Sequence, residues 1–230
     1  MNTNKVCGEF PEFCYRAFEC KEYAEDFMDR GTFRMGCQLG YKTMENEARC
    51  DPTEGSGLIK VLAIVTSYSF SNDSTEEPIC SQEMGYREES SKQCNPKFCF
   101  CTSLPEVDRN HMKTFGKYIV KINNPRKLAE DINDYFTNNE EGKFLIVGCY
   151  ITYNKGQKVD RPHLKNEILD MSYKQKPESF SDDREFRIVA LKLSESCIDE
   201  CKFLSGTDEL KCIRKTVNLE KPLNDIVSFV

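Results

Sequence analysis

Two carboxylates two residues apart, Asp183 and Glu185, stand in the stretch Ser181-Asp-Asp-Arg-Glu-Phe-Arg187 at the head of an apolar run. On an extended strand residues i and i+2 share a face, so both acids are expected to project together and Arg184 the opposite way. Such a pair at a strand end can hydrogen-bond a sugar hydroxyl and orient a nucleophile. The same spacing also suits a solvated strand start tied by salt bridges. The two histidines, His111 and His163, lie in polar stretches with no nucleophile elbow beside them, and are assigned to the surface. Cys80, Cys94, Cys99 and Cys101 can be drawn as a four-thiolate zinc site, with Cys197, Cys201 and Cys212 as a partial one. A tetrahedral site usually presents two short Cys-x2–4-Cys pairs, which this spacing does not. Cys99 and Cys101 on one strand face suit core packing, so no metal is expected.

The elements that must position these residues are legible from periodicity. Phe13–Phe18 alternates as a strand, and Glu19–Asp29 reads as a helix with Cys20, Tyr23, Ala24, Phe27 and Met28 on one face. Gly31 supplies its left-handed stop, and Thr32–Gly36 resumes an extended pattern. Further strands are expected at Ile59–Thr66, Lys97–Ser103, Gly116–Ile122, Lys143–Tyr153 and Arg184–Leu193, with a weak one near Cys212–Leu219. Lys143–Tyr153, the most apolar, is expected at the centre of the sheet. Asn124-Pro125 is a helix start, and that helix should run to about Phe136. Residues 37–58, 69–95 and 154–177 read as long connections or polar excursions. These elements give one α+β domain over residues 1–230.

Composition bounds the function classes. The chain has 230 residues, 39% hydrophobic and 30% charged, which suits a globular fold. No apolar run reaches the roughly 18 residues of a membrane span. The first ten residues lack an apolar core, so no secretory leader is expected. Thirteen cysteines, an odd number, are therefore read as reduced thiols in a cytoplasmic protein. The net charge of −6 is concentrated in residues 1–110, which carry 12 basic and 19 acidic side chains. That excludes a general nucleic-acid magnet. A polynucleotide would need a local patch, for which Lys155, Lys158, Arg161, Lys165, Lys174 and Lys176 are the candidates.

Three features together resemble the ADP-ribosyltransferase fold: Tyr15-Arg16 on the first strand, the strand–helix–Gly31–strand unit behind it, and a carboxyl-x-Glu185 on a late strand. The chain also resembles a broad bacterial group common in phage-defence loci. Its motifs here are Gly31-Thr-Phe-Arg-Met-Gly36, Glu45-Asn-Glu-Ala-Arg-Cys-Asp-Pro-Thr-Glu-Gly55 and Lys176-Pro-Glu-Ser-Phe-Ser-Asp-Asp-Arg-Glu-Phe-Arg187, within a span of roughly residues 13–193. Asp183 replaces the Glu or Gln common two residues before the catalytic Glu in arginine-modifying members. No clear Ser-Thr-Ser stands on a second strand, where Ser67, Ser69, Ser103 and Tyr41 are the alternatives.

The resemblance implies split antiparallel β-sheets with flanking helices and NAD+ as a consumed co-substrate. Glu185 would hold the developing ribosyl cation and help deprotonate the nucleophile, and Arg16 would bind the dinucleotide's phosphates or ribose. Tyr15 or Tyr41 would contact the nicotinamide half, while Arg49, Asp51 and Glu54 would order the pocket or meet the acceptor; Asp183 is the second acid of the site. The acceptor would be a macromolecule, RNA before protein or DNA, with Tyr150, Tyr153 and Tyr173 available for base stacking. The resemblance further implies a toxin of a toxin–antitoxin system, and with it a cognate antitoxin protein. The alternatives are a non-catalytic nucleotide-binding module, a zinc-stabilised interaction module, and an NAD+ hydrolase.

Overall fold

A computed structural model describes residues 6–37, 56–69, 79–92, 97–140, 143–154, 158–159, 173–193 and 214–230. In chain order these form β1 (Val6–Gly8), β2 (Cys14–Phe18), α1 (Lys21–Arg30), β3 (Thr32–Cys37), β4 (Ser56–Ser69), β5 (Ile79–Lys92) and β6 (Lys97–Ser103). Then come α2 (Arg109–Phe115), β7 (Tyr118–Ile122), α3 (Pro125–Asn139), β8 (Lys143–Tyr150) and β9 (Lys158–Val159). A 3-10 helix (Glu178–Asp183) leads into β10 (Glu185–Leu193), and β11 (Arg214–Asn218) and β12 (Val227–Phe229) close the chain. The architecture is α+β around a large mixed sheet.

That sheet has nine strands and forks. Its main path is β1-β8-β10-β6-β2-β7-β12, with β3 and β11 branching from β6. All pairs are antiparallel except β1 with β8. The fork arises because β2 and β3 share one edge of β6: Gly36 and Cys37 oppose Cys99 and Phe98, whereas Tyr15 opposes Ser103. Helix α1, which joins the two branches, sits over the divergence. Its buried Phe27 has ring contacts with Phe18 of β2, Phe33 of β3 and Phe100 of β6, at 5.4, 5.4 and 5.7 Å. Gly31 ends α1 in the left-handed conformation (φ 64), and a Cβ there would lie 2.8 Å from the Lys221 carbonyl oxygen.

The two faces are covered differently. On one, α1 and α3 bury Phe27, Leu128, Ala129, Ile132 and Phe136 against Phe100, Ile146, Phe186 and Ile188. On the other, Met112 of α2 packs with Val107, Ile119 and Tyr15, and Tyr173 packs with Cys99, Val147 and Val189. Asn124 caps α3 as expected, its Oδ1 accepting from the Lys127 backbone N–H at 3.0 Å.

Several expectations change. The apolar β8 is not central: it lies between the three-residue β1 and β10, and β6 holds the middle. Its apolarity follows from cover on both faces, by α3 and by the Tyr173 segment, rather than from position in the sheet. The polar excursion at 69–95 contains β5, which pairs with β4 over fourteen positions from Ser56↔Lys92 to Ser69↔Ile79. Together with β9 these form a separate three-stranded sheet. Serine and glutamate hide a strand whose backbone pairing needs no apolar alternation. Helix α2 and the 3-10 helix, of seven and six residues, are too short to give a periodic signal in the sequence.

Candidate functional site

Residues from five strands and their connections meet at one end of the main sheet. There β10 begins, β2 begins, and β6, β7 and β8 end. Glu185, the first residue of β10, opposes Ser103, the last of β6, and Ser103 in turn opposes Tyr15 of β2. Register partners share a face, so Tyr15, Ser103 and Glu185 form one row across three neighbouring strands.

Glu185 is 6% exposed and tightly held. Arg187, two residues along the same strand face and 1% exposed, places its Nε 2.7 Å from Glu185 Oε1 and an Nη 3.3 Å from Oε2. Its other Nη donates to the Tyr173 carbonyl at 3.3 Å. Lys176 Nζ lies 2.9 Å from Glu185 Oε2 and 3.3 Å from Asp183 Oδ2, bridging the two acids. The outer oxygen of Asp183 meets His111 Nε2 at 3.0 Å. The result is a continuous chain of groups, His111–Asp183–Lys176–Glu185–Arg187. Only the histidine, its side chain 32% exposed, reaches well into solvent. The Glu185 backbone N–H donates to Tyr153 Oη at 2.6 Å, which pins the start of the strand.

Burial drives the Glu185 carboxyl upward. The Arg187 and Lys176 charges, with hydrogen bonds from Arg187 and Cys101, outweigh it and hold the group well below the ordinary carboxylate range. Glu185 is therefore an anion at neutral pH. Burial, reinforced by that anion, pushes the Cys101 thiol up to about 12, so it remains a neutral thiol. The Tyr153 hydroxyl is also raised, chiefly by burial.

The expected route by which Asp183 joins Glu185 is wrong, although the two do meet. Asp183 ends the 3-10 helix rather than lying on β10, and Arg184 turns the chain in a left-handed conformation (φ 38). Lys176, not a shared strand face, gathers the acids.

Arg16 falls on the opposite face from Glu185. Its guanidinium lies over the Phe100 ring at 5.0 Å, and Nη1 donates to the Cys101 carbonyl. Cys101 is in phase with Cys99 and Ser103, so its carbonyl points to the β6 edge where β2 and β3 have parted and no strand supplies a donor. Arg16 fills that notch. Its buried Nε has no hydrogen-bond partner among the described residues, and the ring face partly compensates. Tyr15 shares the Glu185 face but packs on Val107, Met112 and Ile119, with Phe13 edge-on at 5.7 Å. Tyr41, Arg49, Asp51 and Glu54 lie outside the described residues, as do Lys155, Arg161, Lys165, Cys94, His163 and the cysteines at 197, 201 and 212.

Of the three tyrosines considered for base stacking, Tyr173 is buried and Tyr153 holds the Glu185 backbone. Tyr150, 40% exposed, stays open. It borders a cleft of about 740 Å³ at the same end of the sheet but over its other face, with Gly8, Glu9, Phe10, Glu12 and Arg126 around it. Phe10 and Tyr150 both lean edge-on against the buried Phe186, at 5.6 and 5.4 Å. Burial and the Glu9 and Glu106 charges raise the Tyr150 hydroxyl, which keeps it a donor.

Arg187, Lys176 and His111 were not read from sequence as parts of this site. Arg187 carried a usable signal, since i+2 from Glu185 on a strand is the same face. Lys176 lies in the same stretch, nine residues before Glu185, at a spacing that no strand or helix period links to it, and His111 comes from a separate segment. Among the described residues no group of three or more His, Cys, Asp or Glu side chains is placed to hold a metal ion. Nor is any described helix long and apolar enough to cross a membrane. Cys99 and Cys101 share one face of β6 and are packed into the sheet. No protein-family model, curated protein or solved structure matches the chain.

Proposed function

We propose that the protein transfers ADP-ribose from NAD+ to a macromolecular acceptor, with Glu185 stabilising the ribosyl cation. The observation that carries this reading is the row Tyr15–Ser103–Glu185 at a sheet end, with Glu185 ionised by Arg187 and Lys176. The fork of the sheet at β6 behind a strand–helix–strand unit supports an ADP-ribosyltransferase-like fold. In the reaction the nicotinamide–ribose C–N bond breaks with its electron pair leaving on nicotinamide. The anion of Glu185 opposes the positive charge that develops on the ribose, as a carboxylate does in glycoside cleavage. Arg187 and Lys176 keep that anion in place at no reorganisation cost. Arg16, on the other face, is a structural residue in this reading. Contact with the dinucleotide falls to Tyr15 and Ser103. RNA is the acceptor we favour, and an inhibitory partner protein is expected in the host.

One observation favours a second reading, a nucleotide-binding module without turnover. Both Glu185 oxygens are already occupied by cationic donors, and the carboxylate is 6% exposed. Labelled NAD+ incubated with separate pools of RNA, DNA and protein distinguishes the two, with wild type and Glu185→Gln run together. Transfer to one pool by wild type alone supports the transferase, and free ADP-ribose alone indicates hydrolysis. NAD+ binding with no product supports the binding module.

A further inference from the structure

An acceptor hydroxyl that attacks the ribose must lose its proton as the new bond forms. Glu185 is a poor receiver for it: its two oxygens accept from Arg187 and Lys176, and its depressed basicity makes the proton unwelcome. A histidine oriented by a carboxylate stands at the solvent end of the same chain of groups. His111 sits on α2, its ring edge-on to Phe115 at 5.3 Å, and Nε2 is 3.0 Å from Asp183 Oδ1. Asp183 is itself fixed, 8% exposed, with its other oxygen 3.3 Å from Lys176 Nζ.

We propose that His111, oriented by Asp183, is the base that takes the proton from the acceptor's hydroxyl as that oxygen attacks the ribose. The inference rests on the transferase reading. With Nε2–H donated to Asp183, the ring is held in the tautomer that leaves Nδ1 with its lone pair. The acceptor O–H then gives its proton to Nδ1 while the new C–O bond forms and the C–N bond to nicotinamide breaks. The proton passes to solvent from a ring that is one-third exposed. Two jobs that the family resemblance assigns to one glutamate are divided here. Glu185 opposes the cation, and His111 handles the proton. The charged groups that face the imidazole are Asp183, from the 3-10 helix, and behind it Lys176. Phe115, on its own helix, presents only a ring.

The test compares wild type with His111→Asn, which keeps a side-chain N–H, and His111→Ala, with a melting curve for each. Acceptor transfer and NAD+ affinity are followed across pH. The inference expects transfer to fall about 100-fold in both variants with NAD+ affinity unchanged, the usual size of a general-base contribution. It also expects the acid-side limb of the wild-type rate profile to vanish, and added imidazole to restore part of the rate to His111→Ala. Transfer within about threefold of wild type with the same limb would overturn it, as would a loss confined to NAD+ affinity. If wild-type protein transfers nothing while Glu185→Gln matches it in every pool, the transferase reading itself fails. The role of His111 then fails with it.

Discussion

Replacing Arg187 with methionine removes the cation that makes two contacts with Glu185, at 2.7 and 3.3 Å, from a site where the pair is 1% and 6% exposed. The remaining partner with full charge is Lys176, which Asp183 also claims. Breaking one side of a buried ion pair costs about 3–5 kcal/mol, because the surviving charge remains away from water without its partner. For a chain of this length, at roughly 2–4 °C per kcal/mol, the melting temperature of Arg187→Met should fall by roughly 6–20 °C. Glu185→Leu should be similarly costly, since it strands Arg187. The double variant should be much less destabilised than the sum, because an apolar pair of similar volume has no charge to solvate. Urea unfolding at neutral pH measures all three. Tyrosine fluorescence and circular dichroism must give coincident transitions, and the absence of tryptophan leaves the tyrosine signal clean. A cost below about 1 kcal/mol for Arg187→Met, the range of an exposed pair, would refute the reasoning. So would strict additivity in the cycle.

Glu185 should also make stability acid-sensitive. Its folded-state value lies below the ordinary 4.5, so below about pH 4.5 the unfolded chain binds a proton that the folded chain does not. Its contribution is therefore complete above that pH and is lost as pH falls toward the folded value. Urea midpoints of wild type should drop between about pH 5 and about pH 3 more steeply than those of Glu185→Gln, and equal slopes would contradict this. Asn124→Ala should destabilise by about 1 kcal/mol in urea, because the Lys127 N–H loses its cap acceptor. Gly8 has φ +98, and a Cβ there would lie 2.0 Å from the Gly148 carbonyl oxygen. Gly8→Ala should therefore cost about 1–3 kcal/mol, with faster hydrogen exchange at β1 than at β10 as the check on location.

What the sequence determined by itself was local. Phe27 and Ala24 at helical spacing, closed by Gly31, fixed α1 to within a residue or two, because periodic burial and a left-handed stop are properties of adjacent residues. Asn124-Pro125 likewise fixed the start of α3. Alternation found most strands of the main sheet and marked Glu185 at the head of β10. It failed at β5, where polar residues pair through their backbones, and at β8, whose apolarity could not say which neighbours it would have. Only the tertiary structure decided that Arg16 and Glu185 occupy opposite faces, since that depends on how β2 and β3 divide the edge of β6. It also decided that Lys176 and His111 join Asp183 and Glu185. Those contacts cross separations of up to 72 residues, and they form because burying two carboxylates requires cations and donors from wherever the fold can supply them.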